Sequence, residues 1–111
     1  MITVLELREK RKTILCEWCH RRAGTQRHHV FAHRTKKYPE LDAEENLMLV
    51  CVDCHTGTCV VNSKHVRAWF WSVQCKRYGV ERMNEWLDSL PDKLRWSGRL
   101  DFVKSVSNAV V

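Results

Sequence analysis

Two cysteine pairs constrain this chain more than any other feature. Cys16-Glu-Trp-Cys19 and Cys51-Val-Asp-Cys54 are separated by the 31 residues from 20 to 50. Each Cys-x2-Cys turn presents two thiolates, and together they supply the four-coordinate tetrahedral set that structural zinc prefers. One ion held there would close the intervening loop, remove much of its freedom and couple metal affinity to folding. A single pair would suit redox exchange as readily as metal binding, but two pairs point to a clamp. Redox exchange needs one privileged attacking thiol, and neither pair singles one out. Cys59 and Cys75 fall outside the pattern. Cys75 reads as a buried small hydrophobe, and Cys59 as an unliganded thiol or a spare ligand.

A clamp matters because the chain is short. At 111 residues, 44% of them hydrophobic, it has room for one domain with a modest core, a size class that often leans on metals or disulfides. No run of 18 apolar residues could span a bilayer. Glu6, Arg8, Glu9 and Lys10 interrupt the start, unlike the core of a signal peptide. A cytoplasmic, reducing location is therefore expected, in which paired cysteines bind metal. Nineteen Lys and Arg against 13 Asp and Glu leave a net charge of +6. They are spread along the chain as a broad basic surface, which favours contact with phosphate backbones.

Residues 1–15 have an ambiguous period and could form a short helix or strand. Arg27–Phe31 and Leu47–Val50 read as short strands, with Lys36–Glu45 as a connecting loop containing Pro39. Cys51–Gly57 resembles a turn entering a helix or knuckle. Ser63 is a natural N-cap for a helix running to about Tyr78, and Gly79 is its stop. Val66, Trp69, Phe70, Val73 and Cys75 give that helix an apolar face, leaving Arg67, Lys76 and Arg77 wet. Val80–Leu90 is a second helix candidate ending before Pro91, and a third is expected around Leu100–Val106. Trp69, Trp71, Trp86 and Trp96 sit within helical patterns, which favours packing over base stacking.

The histidines lie inside and directly after the clamped loop. Arg27-His28-His29-Val30-Phe31-Ala32-His33 occupies its middle, and His55 follows the second knuckle. Neighbouring residues on a strand point to opposite faces, so His28 and His29 need not do the same work. The constellation Cys16-x2-Cys19, His28-His29, Asn46-Leu47, Cys51-x2-Cys54-His55 resembles the HNH nuclease family in its zinc-supported form. The match covers residues 16–55. The later Lys76-Arg77-Tyr78-Gly79 and Trp86-Leu87 are similar to small phage or mobile-element HNH proteins, though much less specific. One departure is the long His29–Asn46 interval, which carries a basic stretch and no Gly-rich turn.

The resemblance implies a small α+β zinc-bound domain with a ββα-metal, treble-clef-like core over 16–57, followed by a mainly helical extension over 63–108, all within a single domain spanning 1–111. It implies a structural zinc on Cys16, Cys19, Cys51 and Cys54. A catalytic divalent ion (Mg2+, Mn2+, Ni2+ or Zn2+) would sit on His28 and His55, with His29 as general base. Asn46 would be the central asparagine, either positioning the backbone or reaching the metal. His33 stays open as a third ligand, a phosphate contact or a surface residue. His20 and His65 read as solvated residues, or His65 as a phosphate contact. Arg27, Arg34, Lys36 and Lys37 are candidates to hold the backbone of a DNA substrate, which positions it without reading sequence. Arg21 and Arg22 could extend that surface.

The expected activity is one-metal hydrolysis of DNA phosphodiester bonds, nicking or cutting, in a protein associated with DNA; a phage-encoded origin in a host cell stays open. A homodimer, or a phage or mobile-element protein partner, stays open. The other reading of the same residues is a non-catalytic zinc module that binds DNA or protein.

Overall fold

The computed structural model describes residues 2–31, 38–95, 103–106 and 109. The first element is a helix. Thr3 caps α1 (Val4–Arg11): its hydroxyl accepts from the Glu6 N–H while the Glu6 carboxylate accepts from the Thr3 N–H. This reciprocal box stabilises a helix start. Only Leu7 of α1 is buried, so polar contacts hold the rest of the helix. The Arg8 guanidinium donates to the Gly24 carbonyl, and Lys10 pairs with Glu44.

The sheet is a two-stranded antiparallel ribbon of β1 (Gln26–His29) and β2 (Leu47–Val50), with His28 opposite Met48 and His29 opposite Leu47. The expected strand over Arg27–Phe31 thus starts one residue earlier and stops at His29. The cause is Asn46. Its carbonyl still accepts the Val30 N–H in register, but its side-chain oxygen takes the Phe31 N–H, which leaves the ladder. The region expected to be plain loop before β2 contains two tight turns, Pro39–Asp42 and Glu44–Asn46. Residues 36 and 37 lie outside the described residues.

The first cysteine knuckle packs on the free edge of β2. The Glu17 N–H donates to the Leu49 carbonyl at 2.8 Å, and the Glu17 carboxylate accepts the Leu49 N–H at 2.7 Å. Gly24 permits this closeness, since a Cβ there would lie 2.6 Å from Leu49 Cγ. The second knuckle leaves the end of the same strand and passes into a wide turn, Asp53–Gly57, in which Thr58 N–H reaches back to the Asp53 carbonyl.

Helix α2 (Lys64–Tyr78) is capped by Ser63 and stopped at Gly79, whose φ of 95° suits glycine. α3 (Val80–Asp88) follows, ending two residues short of the expected Leu90, and α4 (Asp92–Arg95) comes after Pro91. Residues 103–106 are helical, as expected for part of the last segment; 100–102 lie outside the described residues. The core gathers Phe31, Met48, Val66, Phe70, Trp71, Met83 and Leu87 between the ribbon and the helices. Trp71 and Trp86 are buried in it, while Trp69 is 39% exposed and meets Trp18 edge to face. Trp96 lies outside the described residues. The chain is a small α+β fold in which no described helix is long and apolar enough to cross a membrane.

Candidate functional site

The four knuckle cysteines converge. Their sulfurs all lie within 4.8 Å of one another, and Cys19 Sγ is 3.8 Å from Cys51 Sγ. A tetrahedron with metal–sulfur bonds of about 2.3 Å has edges of roughly 3.8 Å, whereas a disulfide needs about 2.05 Å. All six cysteines are free thiols. The two knuckles share one local geometry: the Cys19 N–H points at Cys16 Sγ and the Cys54 N–H at Cys51 Sγ, at 3.5 and 3.4 Å. Such amides stabilise thiolates. A backbone N–H at Arg21 pulls the Cys19 thiol down to about 6, against the opposing effect of burial. Burial and the neighbouring sulfurs push the Cys54 thiol up. Four thiolates can share this space only around a cation, so the donor set fits a metal ion such as zinc. Cys75 is buried in the core and Cys59 is exposed, both outside the cluster.

The clamp also sets the histidines. His55 follows Cys54 directly and its N–H bonds the Cys51 carbonyl. His28 points inward from β1, and the two rings stand 5.5 Å apart between centroids at 65°. His28 is buried. Burial first, then the nearby charges of His55 and Arg67, lower its pKa to about 4, so the ring is neutral at ordinary pH. The Val61 backbone opposes that shift only weakly, and Nε2 is buried without a hydrogen-bond partner among the described residues. A neutral imidazole with a buried, unpartnered ring nitrogen could serve as a metal ligand.

His29 faces the other way. Its Nε2 lies 2.8 Å from Asp42 Oδ1. Asn46 is fully buried, and both ends of its side chain bond backbone: Oδ1 accepts the Phe31 N–H at 2.6 Å and Nδ2 donates to the Leu41 carbonyl at 2.8 Å. Gln74 of α2 steadies the same turn by donating to the Glu44 and Glu45 carbonyls. Helix α2 is thus tied to the loop that positions the histidines.

The candidate phosphate contacts are more scattered. Arg27 donates to the Ile2 carbonyl at 3.0 Å and helps hold the start of the chain. Arg21, Arg22, His20 and His65 are exposed. His33, Arg34, Lys36 and Lys37 lie outside the described residues. Two groups near the histidines were not singled out by sequence. Asp42 carries no spacing signature, since its place depends on the turn begun by Pro39. Arg67 read as a wet helix residue, yet its charge bears on His28. Arg77, also expected to be wet, pairs with buried Glu17, which Arg11 holds from its other side.

Comparison with protein-family models, with curated proteins and with solved structures gives no match.

Proposed function

We propose that the chain is a metal-dependent endonuclease that hydrolyses DNA phosphodiester bonds, with a ββα-metal core of HNH type over 16–57 and helical support over 63–108. The observation that carries this reading is the buried, neutral His28 ring set 5.5 Å from the ring of His55, with His29 on the opposite strand face. Cys16, Cys19, Cys51 and Cys54 would hold a structural zinc. A divalent ion on His28 and His55 would stabilise negative charge building on the phosphate.

The side chains do the rest. His29 accepts a proton from the attacking water, a role suited to imidazole near neutral pH. Asn46 ties the strand exit at Phe31 to the Leu41–Asp42 turn, so His29 and Asp42 are held together. Arg67 adds positive charge beside His28, where a phosphate oxygen would gather. Exposed Arg21 and Arg22, with Arg34, Lys36 and Lys37, would hold the DNA backbone away from the cut.

The test is cleavage of plasmid, nicked, single-stranded and branched DNA with several divalent ions added to zinc-loaded protein. His29→Ala should abolish cleavage while leaving zinc content and most DNA binding intact. Cleavage by His29→Ala at the unaltered rate would remove His29 as the base. A wild-type protein that binds zinc and DNA but cuts nothing in the panel would favour a non-catalytic zinc module.

A further inference from the structure

Neither the cysteine clamp nor the His28–His55 pair uses Asp42, yet this carboxylate is held with care. It ends the turn Pro39–Asp42, whose backbone closes through the Ala43 N–H to the Glu40 carbonyl. Leu41, just before it, is fully buried and its carbonyl accepts from Asn46 Nδ2. The same asparagine accepts the Phe31 N–H two residues beyond His29. One buried side chain therefore fixes both partners of the His29–Asp42 contact.

The chemistry of that contact is directional. An ionised carboxylate only accepts hydrogen bonds, so a neutral His29 facing it carries its proton on Nε2. The lone pair is then on Nδ1. The side chains of His29 and Asp42 are 13% and 10% exposed, which encloses the contact but leaves the ring some access to solvent. Asp42 also lines an open cavity of about 620 Å³ with Glu6, Lys10 and Glu44. With Nε2 taken by Asp42, Nδ1 is the ring nitrogen left to face an attacking water.

We propose that Asp42 is the positioning residue for His29: it fixes the Nε2–H tautomer and the ring orientation, so that Nδ1 is the atom offered to the attacking water. This rests on His29 being the base. An asparagine at 42 can turn its NH2 toward Nε2 and force the proton onto Nδ1, which blocks the basic atom without removing the contact.

The experiment compares wild type, Asp42→Asn, Asp42→Glu and His29→Ala as zinc-loaded full chains, with zinc content and thermal midpoint as folding controls. Nitrogen-15 histidine spectra should show His29 protonated on Nε2 in wild type and in Asp42→Glu, and on Nδ1 in Asp42→Asn. With a divalent ion and DNA, kcat of Asp42→Asn should fall about 100-fold or more with KM little changed, and Asp42→Glu should recover part of that loss. Wild-type kcat and an unaltered tautomer in Asp42→Asn, alongside an inactive His29→Ala, would overturn the role of Asp42 and leave the base assignment standing. An active His29→Ala would overturn both.

Discussion

Replacing Asn46 by alanine removes a side chain that makes no contact with solvent and bridges two segments. The Phe31 N–H loses its acceptor at 2.6 Å and the Leu41 carbonyl loses its donor at 2.8 Å. A buried polar group left without a partner costs about 1–3 kcal/mol. Two such groups put the loss at about 3 kcal/mol, a large share of the roughly 5–15 kcal/mol that holds a domain together. For a chain of this size that lowers Tm by roughly 10–15 °C. Asn46→Asp should be no milder, because it keeps the acceptor for Phe31 but turns a carboxylate on the Leu41 carbonyl. The assay is urea and thermal unfolding of zinc-loaded protein followed by circular dichroism, with bound zinc measured in parallel. Zinc should stay bound below the transition, since the thiol cluster lies elsewhere. A loss under about 0.5 kcal/mol in Asn46→Ala would mean that water or backbone movement satisfies both groups, and the clamp assigned to Asn46 would fall.

Other perturbations test other links. Cys51→Ser should lower bound zinc and protease resistance together, because Cys51 Sγ both faces Cys19 and receives the Cys54 N–H; retention of both would remove it from the clamp. Glu17→Gln should destabilise on the order of 3 kcal/mol, since it leaves the buried Arg11 guanidinium without its carboxylate at 2.8 Å, and a urea midpoint within error of wild type would contradict this. Burial alone would raise the Glu44 carboxyl, but hydrogen bonds from Lys10 and Arg82 outweigh it and hold Glu44 below its ordinary value. A depressed carboxyl contributes stability that is present above its unfolded value and lost as pH falls through the folded one. Glu44→Gln should therefore flatten the acid limb of the stability–pH curve, and an identical limb would refute the coupling. On the alkaline side the hydrogen bond to Glu44 raises Lys10, so its contribution is full below the ordinary lysine value and fades as pH rises through the higher folded one.

Much of this fold was written in local signals. Ser63 and Gly79 bound α2 where their capping chemistry places them, because cap preferences act over a few residues and need no tertiary context. The strand Leu47–Val50 was equally plain, its residues all buried. The convergence of four thiols followed from spacing, since two short knuckles at the ends of one loop have few other ways to satisfy a shared cation. Residues 1–15 were ambiguous for the opposite reason. Helix α1 has only one buried side chain, so no apolar period announced it, and its anchors are charges that find partners far along the chain.

What sequence left unread are contacts between polar groups on separate segments. Arg77 looked like a solvated helix residue because helical period describes which face is apolar, not which cation meets a buried carboxylate. Only the fold brings it within 2.8 Å of Glu17, 60 residues earlier. Asp42 is the sharper case. Its value depends on a turn closed by Asn46, which in turn depends on Gln74 holding the Glu44–Asn46 segment against α2. The helices after the histidine region therefore do more than enlarge the core. They fix, through a chain of buried amides, the carboxylate that faces His29, so a change at Gln74 should disturb the His29–Asp42 contact without touching either residue.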